Sequence, residues 1–186
     1  MVLMETPVCN FGEKAIDFKL TGVDEKEWAL TDCVGEHGLL VMFICNHCPY
    51  VKSIQSKLVE DTLKLKEIGV NSVAIMSNDP ADYPEDSFEN MKKVAAKLNY
   101  PFPYLFDKSQ EIAKSYGAIC TPDFFGYNSA LELQYRGRLD ASGMNSTEKN
   151  LKRDLLDAMT EVAKSGQGPK NQIASIGCSI KWKNTS

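Results

Sequence analysis

The sequence predicts an α/β fold, and three neighbouring segments carry that prediction. Residues 39–44 form a continuous apolar run with the length of a buried strand. Apolar side chains then recur at helical spacing from Val51 to Ile68, and Gly69 supplies a helix stop. The segment from Val70 to Met76 is rich in β-branched residues and predicts a second strand. Strand, helix and strand in this order indicate a right-handed crossover within one sheet.

Size and composition predict one globular domain spanning residues 1–186. Of these 186 residues, 43% are hydrophobic, enough for a sizeable core. The net charge of −4 offers no basic surface for nucleic acid, and no stretch approaches the ~20 apolar residues that span a membrane. The N-terminal residues lack the regions of a secretory signal, so we expect a cytoplasmic protein. In a reducing cytosol, its six cysteines indicate catalysis or metal binding rather than a structural disulfide framework.

The remaining segments alternate between strand and helix patterns. Turn residues at 22–25 separate two short runs, as in an N-terminal hairpin. Asp86 and Glu89 form a capping-box pattern ahead of a helix that continues to Leu98. The further predicted elements are a strand at Tyr104–Phe106, a brief helix to Tyr116 capped by Asp107 and Gln110, a hairpin joining 123–127 to Leu131–Tyr135, and a last helix over about Thr147 to Lys164.

The motif Cys45-Asn46-His47-Cys48 stands between the apolar run and the first long helix. We expect both cysteines on the first helical turn, close enough to form and break one disulfide. A helix N-terminus favours the thiolate, which makes a cysteine there a nucleophile at neutral pH. Cys45 is therefore predicted to be the exposed attacking thiolate, and Cys48, deeper in the helix, would resolve the mixed disulfide.

Three further motifs strengthen this interpretation. They are Ala15-Ile16-Asp17-Phe18 near the start, Thr121-Pro122-Asp123-Phe124-Phe125 after the short helix, and Gly177-Cys178-Ser179-Ile180-Lys181-Trp182 in the tail. Together with Cys45-Asn46-His47-Cys48-Pro49-Tyr50-Val51, they make the chain resemble the AhpC/TSA-related redoxin group of thiol–disulfide oxidoreductases. Within it, the resemblance extends to a family of small cytosolic thioredoxin-like proteins.

The resemblance implies a thioredoxin fold with an N-terminal hairpin, an added strand and helix, and a C-terminal tail docked on the body. Cys45 and Cys48 match the redox pair, and Pro122 matches a cis-proline that faces it. Thr121 would offer backbone groups to a substrate, with Pro122 and Asn46 beside it. His47 stands where a histidine accompanies an acidic thiol in a related oxidant, so we expect an acidic Cys45.

The implied reaction is disulfide exchange with protein or small thiol substrates, with an unidentified electron donor or acceptor and no organic cofactor or metal. Cys178 and Cys120 are possible additional redox thiols, Cys178 as a tethered third thiol, and inert packing is the alternative for both. For Cys9 and Cys33 we expect buried, unreactive packing.

Two other classes of function compete. A peroxiredoxin-like peroxidase would carry Pro-x-x-x-Thr-x-x-Cys, but Gly38 and Met42 occupy those positions relative to Cys45, so peroxide turnover should be weak. A metal-binding or redox-sensing module would need further ligands, which His47, Cys120 or Cys178 could supply only by converging tightly on the cysteine pair.

Overall fold

The computed structural model describes residues 2–142 and 151–184. Its strands are β1 (Leu3–Glu5), β2 (Lys19–Gly22), β3 (Glu27–Ala29), β4 (Gly38–Phe43), β5 (Val70–Met76), β6 (Tyr104–Phe106), β7 (Cys120–Thr121), β8 (Asp123–Asn128), β9 (Leu133–Tyr135) and β10 (Ile176–Ser179). Its helices are α1 (Leu30–Cys33), α2 (Pro49–Glu67), α3 (Phe88–Leu98), α4 (Glu111–Ser115) and α5 (Asp154–Ser165), with a 3-10 turn at Pro84–Asp86.

A seven-stranded mixed sheet in the order β3-β2-β6-β5-β4-β8-β9 forms the centre of the molecule. Strand β4 pairs in parallel with β5 and antiparallel with β8, so it is covered along both edges. Every residue of β4 is buried, as the continuous apolar run predicted. The central strand therefore gives the residues that follow it, including Cys45, a rigid support.

Alternate side chains of β4 enter two hydrophobic clusters on opposite faces of the sheet. Leu40 and Met42 pack in the cluster that contains the inner faces of α2 and α5. Leu39, Val41 and Phe43 pack in the other cluster, beside Tyr116 and the N-terminal segments. The redox motif lies at the edge of the first cluster, to which Cys45, Cys48 and Cys178 also belong.

The C-terminal tail is docked, as predicted. Strand β10 lies between β1 and β7 in a separate three-stranded antiparallel sheet. Its register places Cys178 opposite Thr121 on one side and opposite Leu3 on the other. Gly177 allows the close approach, because a Cβ atom there would lie 2.1 Å from the Thr121 carbonyl oxygen.

The strand and helix predictions are largely confirmed, including the N-terminal hairpin, the inserted β6 and α4, and the β8–β9 hairpin. The predicted start of the last helix is wrong, because the helix begins at Asp154 and residues 151–153 are not helical. Its predicted start at Thr147 lies outside the described residues. The predicted capping role of Asp86 is also wrong. Ser87 is the N-cap of α3, and the Asp86 carboxylate accepts a hydrogen bond from the backbone N–H of Asn46 instead. In the described part of the chain, no helix combines the length and apolarity needed to cross a membrane.

Candidate redox site

The two cysteines of the motif do not share a helical turn. Helix α2 begins at Pro49, where the missing N–H of proline costs nothing, and Cys48 is its N-cap. Cys45 and Asn46 lie before the helix, in the segment that follows β4. The predicted position of both cysteines on the first turn is therefore wrong, and Cys48, rather than Cys45, is the one nearer the helix N-terminus.

Thr121 faces both sulfur atoms. The bond between Thr121 and Pro122 is cis, as predicted. The Thr121 hydroxyl oxygen lies 3.2 Å from Cys45 Sγ, and Cys48 Sγ can donate a hydrogen bond to the Thr121 carbonyl oxygen at 3.2 Å. One residue thus supplies a hydroxyl to the first sulfur and a carbonyl acceptor to the second.

The Asp86 carboxylate holds the segment between the cysteines from the other side. It accepts hydrogen bonds from the backbone N–H of Asn46 at 2.7 Å and of His47 at 3.1 Å, and from the Asn78 side-chain amide at 2.8 Å. Burial alone would raise the pKa of Asp86, but the hydrogen bonds from His47, Asn78 and Asn46 outweigh it and lower that pKa. Asp86 is therefore a buried anion that positions the redox motif.

The His47 ring lies between Asp86 and Cys45. Its Nδ1 is 2.6 Å from an Asp86 carboxylate oxygen and 3.7 Å from Cys45 Sγ, so Nδ1 carries a proton shared toward the carboxylate. The ring stacks on Tyr83, with centroids 4.4 Å apart. The other ring nitrogen, Nε2, is buried and has no hydrogen-bond partner among the described residues.

Asn46, predicted to bind substrate, is held by the protein at both ends of its side chain. Its amide nitrogen donates to the Glu85 carbonyl oxygen at 2.8 Å, and its oxygen accepts from the Tyr104 hydroxyl at 3.1 Å. These contacts assign Asn46 to positioning the motif in this structure. Its role toward a substrate stays a prediction.

Both sulfur atoms are enclosed. Cys45 is 1% exposed and Cys48 is 0% exposed, so the predicted exposure of Cys45 is wrong for this structure. A groove of about 630 Å³ lies beside the site and is lined by Tyr50, Ile54, Pro122 and Phe124 together with the segments 138–142 and 173–176. Pro122 links the groove to the cysteine pair through its neighbour Thr121.

Electrostatics reverse the predicted roles of the two thiols in the reduced state. Burial, the hydrogen bond with Cys48 and the Asp86 charge raise the pKa of Cys45 well above its ordinary value. The hydrogen bond from Cys45 is the largest influence on the pKa of Cys48. Together with hydrogen bonds from Cys178 and from backbone N–H groups, it lowers the pKa of Cys48 to about 5, although burial acts in the opposite direction. The predicted acidic Cys45 is therefore wrong, because the helix N-terminus and the donors converge on Cys48.

Comparison with known proteins shows which family the sequence belongs to. The sequence profile of the AhpC/TSA family matches residues 11–142. The chain belongs to the AhpC/TSA family. This confirms the predicted redoxin group and, with it, the general class of oxidoreductase; the narrower grouping with small cytosolic relatives stays a prediction.

Solved structures similar to this AhpC/TSA protein support the fold. An uncharacterized conserved protein from Geobacillus kaustophilus is 45% identical, with a TM-score of 0.94 over 100% of this chain and 99% of its own. A hypothetical protein from Sinorhizobium meliloti 1021 is 36% identical, with a TM-score of 0.90 over 96% and 98%. The thioredoxin domain of a thiol-disulfide oxidoreductase from Bacteroides vulgatus is 15% identical, with a TM-score of 0.57 over 70% and 89%, and confirms the thioredoxin-like fold. No curated protein matched the chain.

The other four cysteines of this AhpC/TSA protein differ in their surroundings. Cys178 Sγ lies 3.0 Å from Cys48 Sγ, so the fold brings it to the redox pair. Cys120 Sγ instead faces the Pro122 carbonyl oxygen at 3.7 Å, and burial raises the pKa of its thiol. Burial raises the pKa of Cys33 to about 12, in keeping with its predicted buried packing. Partial burial raises the pKa of Cys9 to about 11, but Cys9 is half-exposed, so its predicted full burial is wrong.

Three potential metal ligands also meet in the AhpC/TSA site. Ligand atoms of Cys45, His47 and Asp86 all lie within 4.8 Å of one another. Two ligand atoms bound to one tetrahedral zinc ion, each ~2.0–2.1 Å from the ion, would be roughly 3.3 Å apart. The 2.6 Å between His47 Nδ1 and Asp86 is shorter than that and suits a shared proton. A metal would fit this set only if His47 Nδ1 and the Asp86 oxygen moved apart.

We predict that the cysteine pair titrates with a low first pKa. Ultraviolet thiolate absorbance of the reduced protein should rise near pH 5, as one proton leaves the pair, and the Cys48→Ser variant should lose this step. The matched control is Cys33→Ala, whose thiol lies in the other hydrophobic cluster and should leave the step unchanged. A wild-type titration that begins only near the ordinary value of 9.0 would contradict the charge placement.

Proposed function

We propose that the protein is a thiol–disulfide oxidoreductase whose redox pair is Cys45 and Cys48. The observation that carries this proposal is the position of Thr121 between the two sulfurs, with its hydroxyl at Cys45 and its carbonyl at Cys48. A thiolate needs hydrogen-bond donors and a thiol needs an acceptor. Thr121 therefore suits the state in which Cys45 is the thiolate and Cys48 holds the proton.

The first step is a proton transfer within the pair. The resting negative charge lies on Cys48, and Cys45 donates a hydrogen bond to it. Moving that proton to Cys48 leaves a Cys45 thiolate that accepts from the Thr121 hydroxyl, while Cys48 donates to the Thr121 carbonyl. The raised pKa of Cys45 then becomes an advantage, because a more basic thiolate is intrinsically more nucleophilic.

Exchange follows in two displacements. The Cys45 thiolate attacks one sulfur of a substrate disulfide, forming a mixed disulfide and releasing the other sulfur as a thiolate, which takes the proton of Cys48. The Cys48 thiolate then attacks Cys45 Sγ, closes the Cys45–Cys48 disulfide and releases the second substrate sulfur as a thiolate. Two electrons have passed from the cysteine pair to the substrate, and the reverse sequence oxidises a dithiol.

The substrates are protein or small-molecule disulfides, and a thiol or disulfide partner restores the pair. Because Cys45 is 1% exposed, a substrate reaches it only after covering groups move aside. The groove beside Pro122 offers the nearest space for a substrate chain. Either direction of exchange is compatible with this geometry, since direction depends on the potential of the pair relative to its partners.

A peroxidase remains the second candidate from the sequence, and electrostatics disfavour it. Burial, the hydrogen bond with Cys48 and the Asp86 charge are the largest influences on the pKa of Cys45, and all three raise it. The Asp86 carboxylate, whose charge raises the pKa of Cys45, also opposes the negative charge of an attacking thiolate and of the leaving hydroxide. We expect slow peroxide consumption.

Redox titration tests the proposed function. The protein is equilibrated in dithiothreitol and glutathione buffers that together cover reducing and oxidising potentials, and it is then acid-quenched. Free thiols are alkylated, and disulfides are assigned by mass. We expect a two-electron transition in which the Cys45–Cys48 disulfide forms, and this disulfide should be absent from Cys45→Ser and Cys48→Ser and retained in Cys33→Ala. A pair that stays reduced under every oxidising buffer would refute the proposal. So would a stoichiometric zinc complex that protects both thiols from alkylation.

A further inference from the structure

Strand β10 brings a third thiol to the redox pair. Its pairing with β7 places Cys178 directly opposite Thr121, the residue that contacts both Cys45 and Cys48. The sulfur atoms of Cys48 and Cys178 are 3.0 Å apart, and both side chains are buried. Cys48 therefore has a sulfur neighbour on each side, Cys45 in its own segment and Cys178 in the tail.

The distance is close to that of a bonded pair. A disulfide has an S–S length of roughly 2.03–2.05 Å, so the sulfurs of Cys48 and Cys178 need to approach by about 1 Å. Cys120 is the informative contrast. It lies next to Thr121 in β7, yet its sulfur faces the Pro122 carbonyl. Proximity to the cis-proline segment alone thus does not bring a sulfur to Cys48.

We propose that Cys178 is a third redox thiol, and that the disulfide formed between Cys45 and Cys48 moves to Cys48 and Cys178. This proposal rests on the proposed function, because it starts from the oxidised pair. The Cys178 thiol loses its proton and its thiolate attacks Cys48 Sγ. The Cys48–Cys178 bond forms, the Cys45–Cys48 bond breaks, and Cys45 leaves as a thiolate that takes the proton. No net oxidation or reduction occurs, so no further reactant is required.

Oxidation of the pair also removes part of the barrier to this step. In the reduced state the pKa of Cys178 is raised to about 12, chiefly by burial and then by the hydrogen bond and the charge of Cys48. Once Cys48 is in a disulfide, it carries no charge and those two influences vanish. Lys181, which lowers the pKa of Cys178, remains. Cys178 thus becomes easier to ionise when its target disulfide is present.

The transfer has two consequences for the site. It returns Cys45 to the thiol form while the molecule still holds an oxidising disulfide. It also fastens β10 covalently beside Thr121, on the edge of β7 where an extended substrate chain could otherwise add as a strand. The tail already pairs with β7 in the reduced structure, and the Cys48–Cys178 bond would fix it on that edge covalently.

Peptide mapping tests the transfer. Trypsin leaves Cys33, Cys45 and Cys48 in one peptide, residues 27–52, and Cys178 in another, residues 171–181, so fragmentation of the peptides assigns the bonded cysteines. Wild-type protein oxidised with diamide, acid-quenched and digested should give both the internal disulfide of the first peptide and a product linking the two peptides through Cys48. Cys178→Ser should lose the linked product and retain the internal disulfide.

Gly177→Ala supplies a variant that keeps every cysteine. Its Cβ atom would collide with the Thr121 carbonyl, so β10 should shift and the linked product should be lost while the internal disulfide remains. Cys33→Ala is the control and should match wild type in both products. An internal disulfide without any linked product in wild type would overturn the third-thiol proposal and leave the proposed function standing. Absence of both products would overturn the proposed function, and the transfer with it.

Discussion

Cys45→Ser is expected to reduce disulfide-exchange turnover by about a thousand-fold or more, the scale at which loss of a nucleophile acts. The remaining Cys48 thiolate cannot replace it. Its sulfur is 0% exposed and is bounded by the Thr121 carbonyl and by Cys178. Cys45 instead faces the Thr121 hydroxyl, which can donate to its thiolate, so we expect the attack on substrate to occur at Cys45.

Cys48→Ser should behave differently from Cys45→Ser. Without Cys48, the hydrogen bond and charge that help to raise the pKa of Cys45 are gone, so Cys45 should ionise more readily and still attack. The mixed disulfide would then persist, since the resolving thiol is missing. The measurement is insulin reduction with dithiothreitol as electron donor, together with non-reducing electrophoresis to detect trapped adducts.

The contrast between the two serine variants decides the assignment of roles. Cys33→Ala is the control for loss of a buried cysteine outside the site and should retain wild-type turnover. Adducts trapped by Cys45→Ser instead of Cys48→Ser would assign the attacking role to Cys48, in line with its lower pKa and against the proton transfer proposed above.

The sequence predicted those parts of the site that depend on short local motifs. Three features could be predicted: the motif Cys45-Asn46-His47-Cys48 after an apolar strand, the cis bond before Pro122, and the docked tail. Each depends on a short pattern or on a resemblance that includes it. The distribution of charge between the two cysteines could not be predicted in this way. The low pKa of Cys48 depends first on the hydrogen bond from Cys45 and then on donors from Cys178 and the backbone, and these contacts follow from the fold rather than from the motif.

The residues that sequence reasoning missed act across the chain. Asp86 matched a capping pattern, and nothing in its neighbourhood indicated that its carboxylate would bind the segment around His47. Tyr83, which stacks on that ring, stands in the same stretch. The available signal was His47 itself, since a histidine beside a redox cysteine needs a partner for its ring proton; the partner's identity required the fold.

Asp86→Ala is expected to destabilise the protein by about 3–5 kcal/mol, the cost of removing one partner from a buried charged pair. The loss would strand buried donors on three residues: the backbone N–H of Asn46, the backbone N–H and ring of His47, and the side-chain amide of Asn78. Asp82→Ala is a matched control, because Asp82 lies in the same stretch but is exposed, and it should change stability by less than about 0.5 kcal/mol. Urea unfolding of the reduced proteins measures both.

Asp86→Asn removes the negative charge of the Asp86 side chain but keeps its size and shape. The folded protein lowers the pKa of Asp86, so its carboxylate stabilises the fold at neutral pH and loses this contribution as the pH falls through the folded-state pKa. The stability difference between wild type and Asp86→Asn should therefore shrink in acid. The same substitution removes a negative charge that helps to raise the pKa of Cys45, so thiolate titration should show that pKa falling. Equal stability of Asp86→Ala and Asp82→Ala, with no change in the thiol titration of Asp86→Asn, would show that Asp86 does not position the redox motif.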